Sequence, residues 1–262
     1  MGRNETDLKE RLNLPEYPRS AKYDPKWMLE NCMGPNAVWL TEALAQAMDL
    51  RPGMRVLDMG CGKAISSIFL AQEFHVNVWA TDLWIRPSEN WERIRRAGLE
   101  NQVFPIYAEA HSLPFAHGFF DAIVSVDAYH YFGTADLYLG YFSKFVRPGG
   151  QIGIVVPGLV DEFDDGVPNH LKPYWEWDFC SFHSPTWWKA HWEKTGLVSI
   201  EVVAALAPRS TQRCCRASMR PSTHRTSLPS AAGQGPARRP SCSGGRGTSG
   251  TPTLRRDASN RR

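Results

Sequence analysis

The 262-residue chain has no unbroken apolar stretch of the roughly eighteen residues that a membrane helix needs, and its charged first ten residues are not followed by an apolar run. Neither a spanning segment nor a secretory signal is therefore expected, which makes a soluble, cytoplasmic protein the default. The cysteines are few and scattered, at Cys32, Cys61, Cys180, Cys214, Cys215 and Cys242. They form no C-x-x-C pair and lack zinc-type histidine spacing, so neither a disulfide framework nor a metal site is expected. Beyond Ala207 the chain lacks Lys and Glu and carries one acid, Asp257, against twelve arginines. Among Leu, Ile, Val, Phe, Tyr and Trp, that segment has only Leu228 and Leu254. It cannot bury enough apolar surface to offset its ordering entropy, and disorder is expected over 208–262.

Those twelve arginines and one aspartate give the tail a charge of +11. Against +3 for the whole chain, residues 1–207 carry −8. An acidic body excludes a globally cationic nucleic-acid binder. Twelve arginines without interleaved aromatics are compatible with a tail that binds nucleic acid or anionic surfaces electrostatically, but a nucleic-acid partner of the protein is not expected. The abrupt shift to Arg, Ser, Pro, Gly and Ala also fits a reading frame lost in a GC-rich gene.

The body alternates between strand-like and helix-like segments. Apolar residues at Val38, Leu40, Leu44, Ala47 and Met48 recur at helical spacing, with Asn36 placed to cap. Short buried strands are expected at 55–60, 76–81, 103–107, 122–126, 151–156 and 197–203. Helices are expected at 65–74, 88–97, 135–146 and 185–195, with a turn at 147–150. Strands alternating with helices of about ten residues imply a doubly wound, mostly parallel sheet covered on both faces. Residues 1–50 read as an N-terminal helical cap, 51–207 as the main domain with an aromatic insertion at 158–184, and 208–262 as the tail.

The chemistry concentrates at Val56-Leu57-Asp58-Met59-Gly60-Cys61-Gly62-Lys63-Ala64. A strand running into closely spaced glycines brings bare backbone to a ligand at the carboxyl edge of the sheet. Dinucleotide loops read G-x-G-x-x-G, whereas position 65 here is Ile, and Asp58 would face a pyrophosphate with like charge. A cationic ligand suits the loop better. Alone, such a glycine pair also serves as a tight turn, and Asp82 as a helix cap; their ordered placement at strand ends favours a site.

The segment 56–64 resembles the first motif of class I S-adenosylmethionine-dependent methyltransferases, D-x-G-x-G-x-G, with Ala64 at the last glycine. Asp82 ends the second strand where that family places an acid on the ribose hydroxyls, with Leu83 beside it. Glu109-Ala110-His111-Ser112-Leu113-Pro114-Phe115 is similar to G-D-A-x-x-L-P-F, near the adenine. Phe120 to Val124 and the Arg147-Pro-Gly-Gly150 turn resemble the fourth-strand motif and the approach to the fifth strand. The resemblance covers about residues 36–204. It implies a Rossmann-like methyltransferase fold with S-adenosyl-L-methionine as cofactor, held by Asp58, Gly60, Cys61, Gly62, Asp82, Leu83, Glu109, Ala110 and Asp127. It further implies methyl transfer to a small-molecule acceptor, with His130 and Tyr129 facing it. His130 has a second reading as a residue packing at a strand end. An N-terminal lid over the cofactor, around Met33-Gly34-Pro35, is also implied.

Five tryptophans, Trp175, Trp177, Trp187, Trp188 and Trp192, suggest an aromatic acceptor wall, although the spacing of Trp188 and Trp192 equally fits the core face of a helix. The family normally ends with an antiparallel seventh strand, and no segment after Val203 has the composition of one, so that strand is expected to be missing. The alternatives are a folded but inactive cofactor-binding protein lacking that strand, or an NAD(P)-dependent oxidoreductase.

Overall fold

The computed structural model describes residues 12–134 and 137–206, together with the backbone of 213–219. All of them fall within one compact unit, 1–223. Strands β1 (Arg55–Met59), β2 (Asn77–Asp82), β3 (Val103–Tyr107), β4 (Phe120–Val126) and β5 (Val146–Val156) pair in parallel in the order β3-β2-β1-β4-β5. The reversal of strand order beside β1 opens a crevice at the carboxyl ends of β1 and β4, where ligands of such sheets bind. Among the described residues no helix is long and apolar enough to cross a membrane.

Alternation along the central strands feeds two layers. Leu57, Ile123, Ile152 and Ile154 point into one core with Phe142, Trp188 and Trp192, while Val56, Ala122, Val124 and Val155 point into the other with Leu40, Leu44 and Ile68. A parallel sheet buried on both faces needs this near-continuous apolar sequence. Helix α1 spans Pro25–Asn31 and α2 Ala37–Gln46; the Asn36 side chain accepts from the Val38 and Trp39 amides at 3.0 and 3.3 Å, as its position before the apolar run predicts. Helix α3 (Ile65–Phe74) follows the glycine loop, and α4 (Pro87–Arg96) follows β2. Helix α5 is short, Tyr138–Phe142, continuing as a 3-10 turn to Phe145; the first two residues of the expected helix at 135–146 lie outside the described residues. Helix α6 (Pro185–Lys194) packs against β6 (Val198–Ala205).

Two expectations need correction. The turn at 147–150 lies within β5, where the pairing jumps from Phe120↔Val146 to Ala122↔Gln151, so the extra residues form an irregularity in the ladder instead of a separate turn. A seventh strand, β7 (Arg213–Met219), occupies the slot between β5 and β6 and runs antiparallel to both. Side-chain composition hid it: β5 and β6 each present a row of unpaired N–H and C=O groups, and that demand is met by backbone whatever side chains it bears. The rest of the tail, 207–212 and 220–262, on which the expected disorder falls, lies outside the described residues.

Candidate functional site

Strand β1 carries Asp58 to the carboxyl edge of the sheet, where it is fully buried. Its Oδ2 accepts from the hydroxyls of Ser66 and Ser67, at 2.5 and 2.6 Å, in the first turn of α3. Its Oδ1 is buried without a partner. Burial raises the carboxyl pKa to about 6, against the pull of the two serine hydrogen bonds, and the nearby Asp82 charge adds to the rise. The chain then turns through Gly60 at φ +76° and Gly62 at φ +52°. A Cβ on Gly60 would collide with Cβ of Ala128, and one on Gly62 would lie 2.9 Å from Sδ of Met33. Glycine is required by conformation and by close approach together. Ala64, at φ +59°, takes the left-handed conformation with a side chain.

This loop is the floor of a cavity of about 320 Å³. Eight of the eleven sequence-predicted residues line it: Gly60, Cys61, Gly62, Asp82, Leu83, Glu109, Ala110 and Asp127. Asp58 lies beneath it. Asp82, at the end of β2, knits two loops together: Oδ2 accepts from the Gly62 amide at 2.8 Å, and Oδ1 from the Trp84 and Ile85 amides at 2.7 and 2.9 Å. Glu109 takes a 2.8 Å hydrogen bond from Nδ1 of His111 and another of 2.8 Å from its amide, and the imidazole bond leads in lowering the pKa of the Glu109 carboxyl. Asp127 sits at φ +55° just after β4, and burial raises its carboxyl to about 6. Burial likewise pushes the Cys61 thiol up, so it is held protonated.

The electrostatics favour a cation. Asp82, Glu109 and Asp127 line the cavity with Asp58 beneath, whereas its one lysine, Lys63, donates to the Glu30 carbonyl at 3.0 Å. A pyrophosphate would meet four carboxylates, while an ammonium or sulfonium group would relieve them.

The structure does not bring Tyr129 and His130 to the cavity. Tyr129 is fully buried, its ring set edge-on to Trp188 and Trp192 at 5.8 and 5.7 Å, which corrects the expectation that it faces an acceptor. The 3-10 turn Tyr129–Tyr131 directs this ring into the core and the Tyr131 ring to the cavity mouth. His130 is 7% exposed, its ring 4.0 Å from that of Tyr131 and 5.6 Å from Phe182, with Nδ1 buried and unpartnered. Burial lowers its pKa to about 4, the Asp178 charge opposing, so the ring is neutral at physiological pH. None of the five tryptophans suggested as an acceptor wall lines the cavity, and Trp188 and Trp192 are core residues.

Sequence reasoning missed the rim. Trp84 is 67% and Tyr131 58% exposed, their rings 5.6 Å apart, and both line the cavity with Phe132 and Met33. A large aromatic two residues after a strand-ending acid was the available signal for Trp84.

Residues 56–150 match the methyltransferase-domain family. The chain is 31% identical over 132 residues to the methyltransferase GfsG of Streptomyces halstedii, covering 49% of this chain and 48% of that protein. It is 28% identical over 116 residues to the 27-O-demethylrifamycin SV methyltransferase of Amycolatopsis mediterranei, covering 44% and 43%. It thus spans about half the length of the curated relatives it matches. In fold it is similar to the phosphoethanolamine N-methyltransferase 2 of Haemonchus contortus, solved with S-adenosyl-L-methionine. That likeness has a TM-score of 0.61 at 18% identity and covers 82% of this chain and 60% of that one.

Proposed function

We propose that this chain, whose residues 56–150 match the methyltransferase-domain family, is a class I S-adenosylmethionine-dependent methyltransferase that holds that cofactor in the cavity over its glycine loop and methylates a small-molecule acceptor. The observation that carries this reading is the excess of acid around the bare glycine backbone: Asp82, Glu109 and Asp127 in the lining with Asp58 beneath, against one lining lysine, Lys63. When bound, S-adenosylmethionine supplies an electrophilic methyl group on positively charged sulfur.

The protein's tasks are alignment and exclusion of water. Gly60, Cys61 and Gly62 present the loop backbone. Asp82, already oriented by three amides, has one carboxylate lone pair left, on Oδ2, for a ribose hydroxyl; Leu83 lies beside it. Glu109, steadied by His111, and Ala110 stand at the adenine end. Asp127 and the deeper Asp58 offset the positive charge of the bound molecule. Trp84, Tyr131, Phe132 and Met33 form an apolar collar that displaces water and offers ring faces to the acceptor. His130 and Tyr129 stand outside the cavity and support the turn that carries Tyr131 to it.

Calorimetric titration of the purified chain with S-adenosylhomocysteine tests this reading. Saturable binding that Asp82→Ala weakens at least about tenfold, the loss of about 1.4 kcal/mol, is expected. Tighter binding of a nicotinamide dinucleotide than of S-adenosylhomocysteine would overturn it.

A further inference from the structure

A second cavity, of about 580 Å³, lies between the N-terminal segment and helices α3 and α4, and the proposed methyl transfer makes no use of it. Its walls include Tyr23, Trp27, Glu73, Arg93 and Arg96, and Asn31 lines both this cavity and the first. The volume is in the range of small-molecule sites.

Each of its acids is engaged, and two of them are paired with cations. The Asp24 carboxylate accepts from the Lys26 and Trp27 amides, both at 3.2 Å, capping α1. Glu73 accepts from Lys22 at 2.8 Å and Arg19 at 3.3 Å, and Glu30 lies 3.7 Å from Lys26. Two of its cations have no ion-pair partner among the described residues. Arg93 is bonded only to neutral carboxamides, Nε to Asn31 and Nη1 to Asn90, each at 3.0 Å. Arg96, one helical turn on, has no ion pair or hydrogen bond among the described residues, whereas the neighbouring Arg95 pairs with Glu92. Two guanidiniums on one face of α4 thus lack a carboxylate. Tyr23, stacked on Trp27 at 5.8 Å, adds a hydroxyl that is buried without a partner, and burial together with the Glu73 charge keeps it protonated, a donor.

We propose that this cavity is a binding site for a small phosphate-bearing anion, held by Arg93 and Arg96 with the Tyr23 hydroxyl as a third donor. Donors from two separate elements suit a group with oxygens on several sides, and guanidinium forks pair with phosphate in two-pronged fashion. The Trp27 ring gives an organic body on the phosphate a surface to lie against. Arg93 is hydrogen-bonded to Asn31, which lines both cavities, so an anion on Arg93 would sit one residue away from the first cavity.

The test is calorimetric titration of the full chain, at constant ionic strength, with phenyl phosphate, inorganic phosphate and benzyl alcohol. Saturable, one-to-one binding of phenyl phosphate is expected, weakened at least about fivefold by Arg96→Ala, the scale of one lost charge-assisted contact. The Arg96 side chain makes no hydrogen bond or ion pair among the described residues, so this variant should keep the wild-type melting temperature; Arg93→Ala, which also frees Asn31, is the second variant. Equal affinity for inorganic phosphate would identify free phosphate as the ligand, and a preference for phenyl phosphate would identify a phosphorylated organic molecule. Absence of saturable binding, benzyl alcohol binding as well as phenyl phosphate, or wild-type affinity in Arg96→Ala would each overturn the proposal. No arm depends on methyl transfer, so its failure is separate from failure of that reading.

Discussion

Asp82 Oδ2 and the Gly62 amide are joined by a 2.8 Å hydrogen bond, so the acid that ends β2 and the glycine loop that follows β1 move as one piece. Asp82→Ala removes the acceptor for three amides at once. A stability loss of about 1–3 kcal/mol in urea unfolding should accompany the affinity loss. Asp82→Asn, which keeps one carbonyl oxygen, should lose less of both.

Gly62 and Met33 give a second handle. Gly62→Ala places a methyl 2.9 Å from the Met33 sulfur at a φ of +52°. The backbone cost alone is about 1–2 kcal/mol. Adding Met33→Ala relieves the collision but not the φ, so the double variant should recover part of the lost S-adenosylhomocysteine affinity. Equal affinity in single and double variants would show that the sulfur was not the obstacle.

Stability against pH separates the buried groups. Asp58 and Asp127 have folded pKa values near 6, above the unfolded value, so the folded state holds more protons between about pH 4 and 6 and these two make stability fall as pH rises through that window. His130, lowered to about 4, works in the opposite sense, its contribution rising between about pH 4 and 6.5. Asp58→Asn should therefore flatten the fall, and His130→Gln should steepen it, in urea melts from pH 4 to 7.

The rim should separate acceptor from cofactor. Trp84→Ala and Tyr131→Ala remove ring faces at the mouth but leave the Trp84 and Ile85 amides on Asp82. Acceptor KM should rise about tenfold, the loss of one ring's stacking, while S-adenosylhomocysteine affinity stays within about twofold.

Truncation after Leu206 tests β7. Its removal leaves β5 and β6 with unpaired edges facing one another. The shortened chain should melt lower and aggregate, as exposed strand edges do. An unchanged melting temperature would mean that the sheet is held without it.

The parallel sheet and its glycine loop were legible because their causes are local: alternating apolar strands, Asn36 before an apolar run, an acid and two glycines at a strand end. Asp58 was legible as a site acid but not as a buried one, since only the fold sets Ser66 and Ser67 against it. The role of Tyr129 was not legible, because a 3-10 turn decides which of three consecutive ring-bearing residues enters the core. The strand at 213–219 escaped because its pairing is imposed by neighbours distant in sequence.

The two-layer alternation of β1 makes chain length a stricter constraint than residue identity. Val56 and Leu57 serve opposite layers, and Asp58, two residues after Val56, falls on the face of Val56 where Ser66 and Ser67 meet it. Exchanging one aliphatic for another there changes packing by a methyl group or two. Inserting or deleting a single residue would swap the layers and turn the acid away from its serines, so this strand should accept wide variation in spelling and none in count.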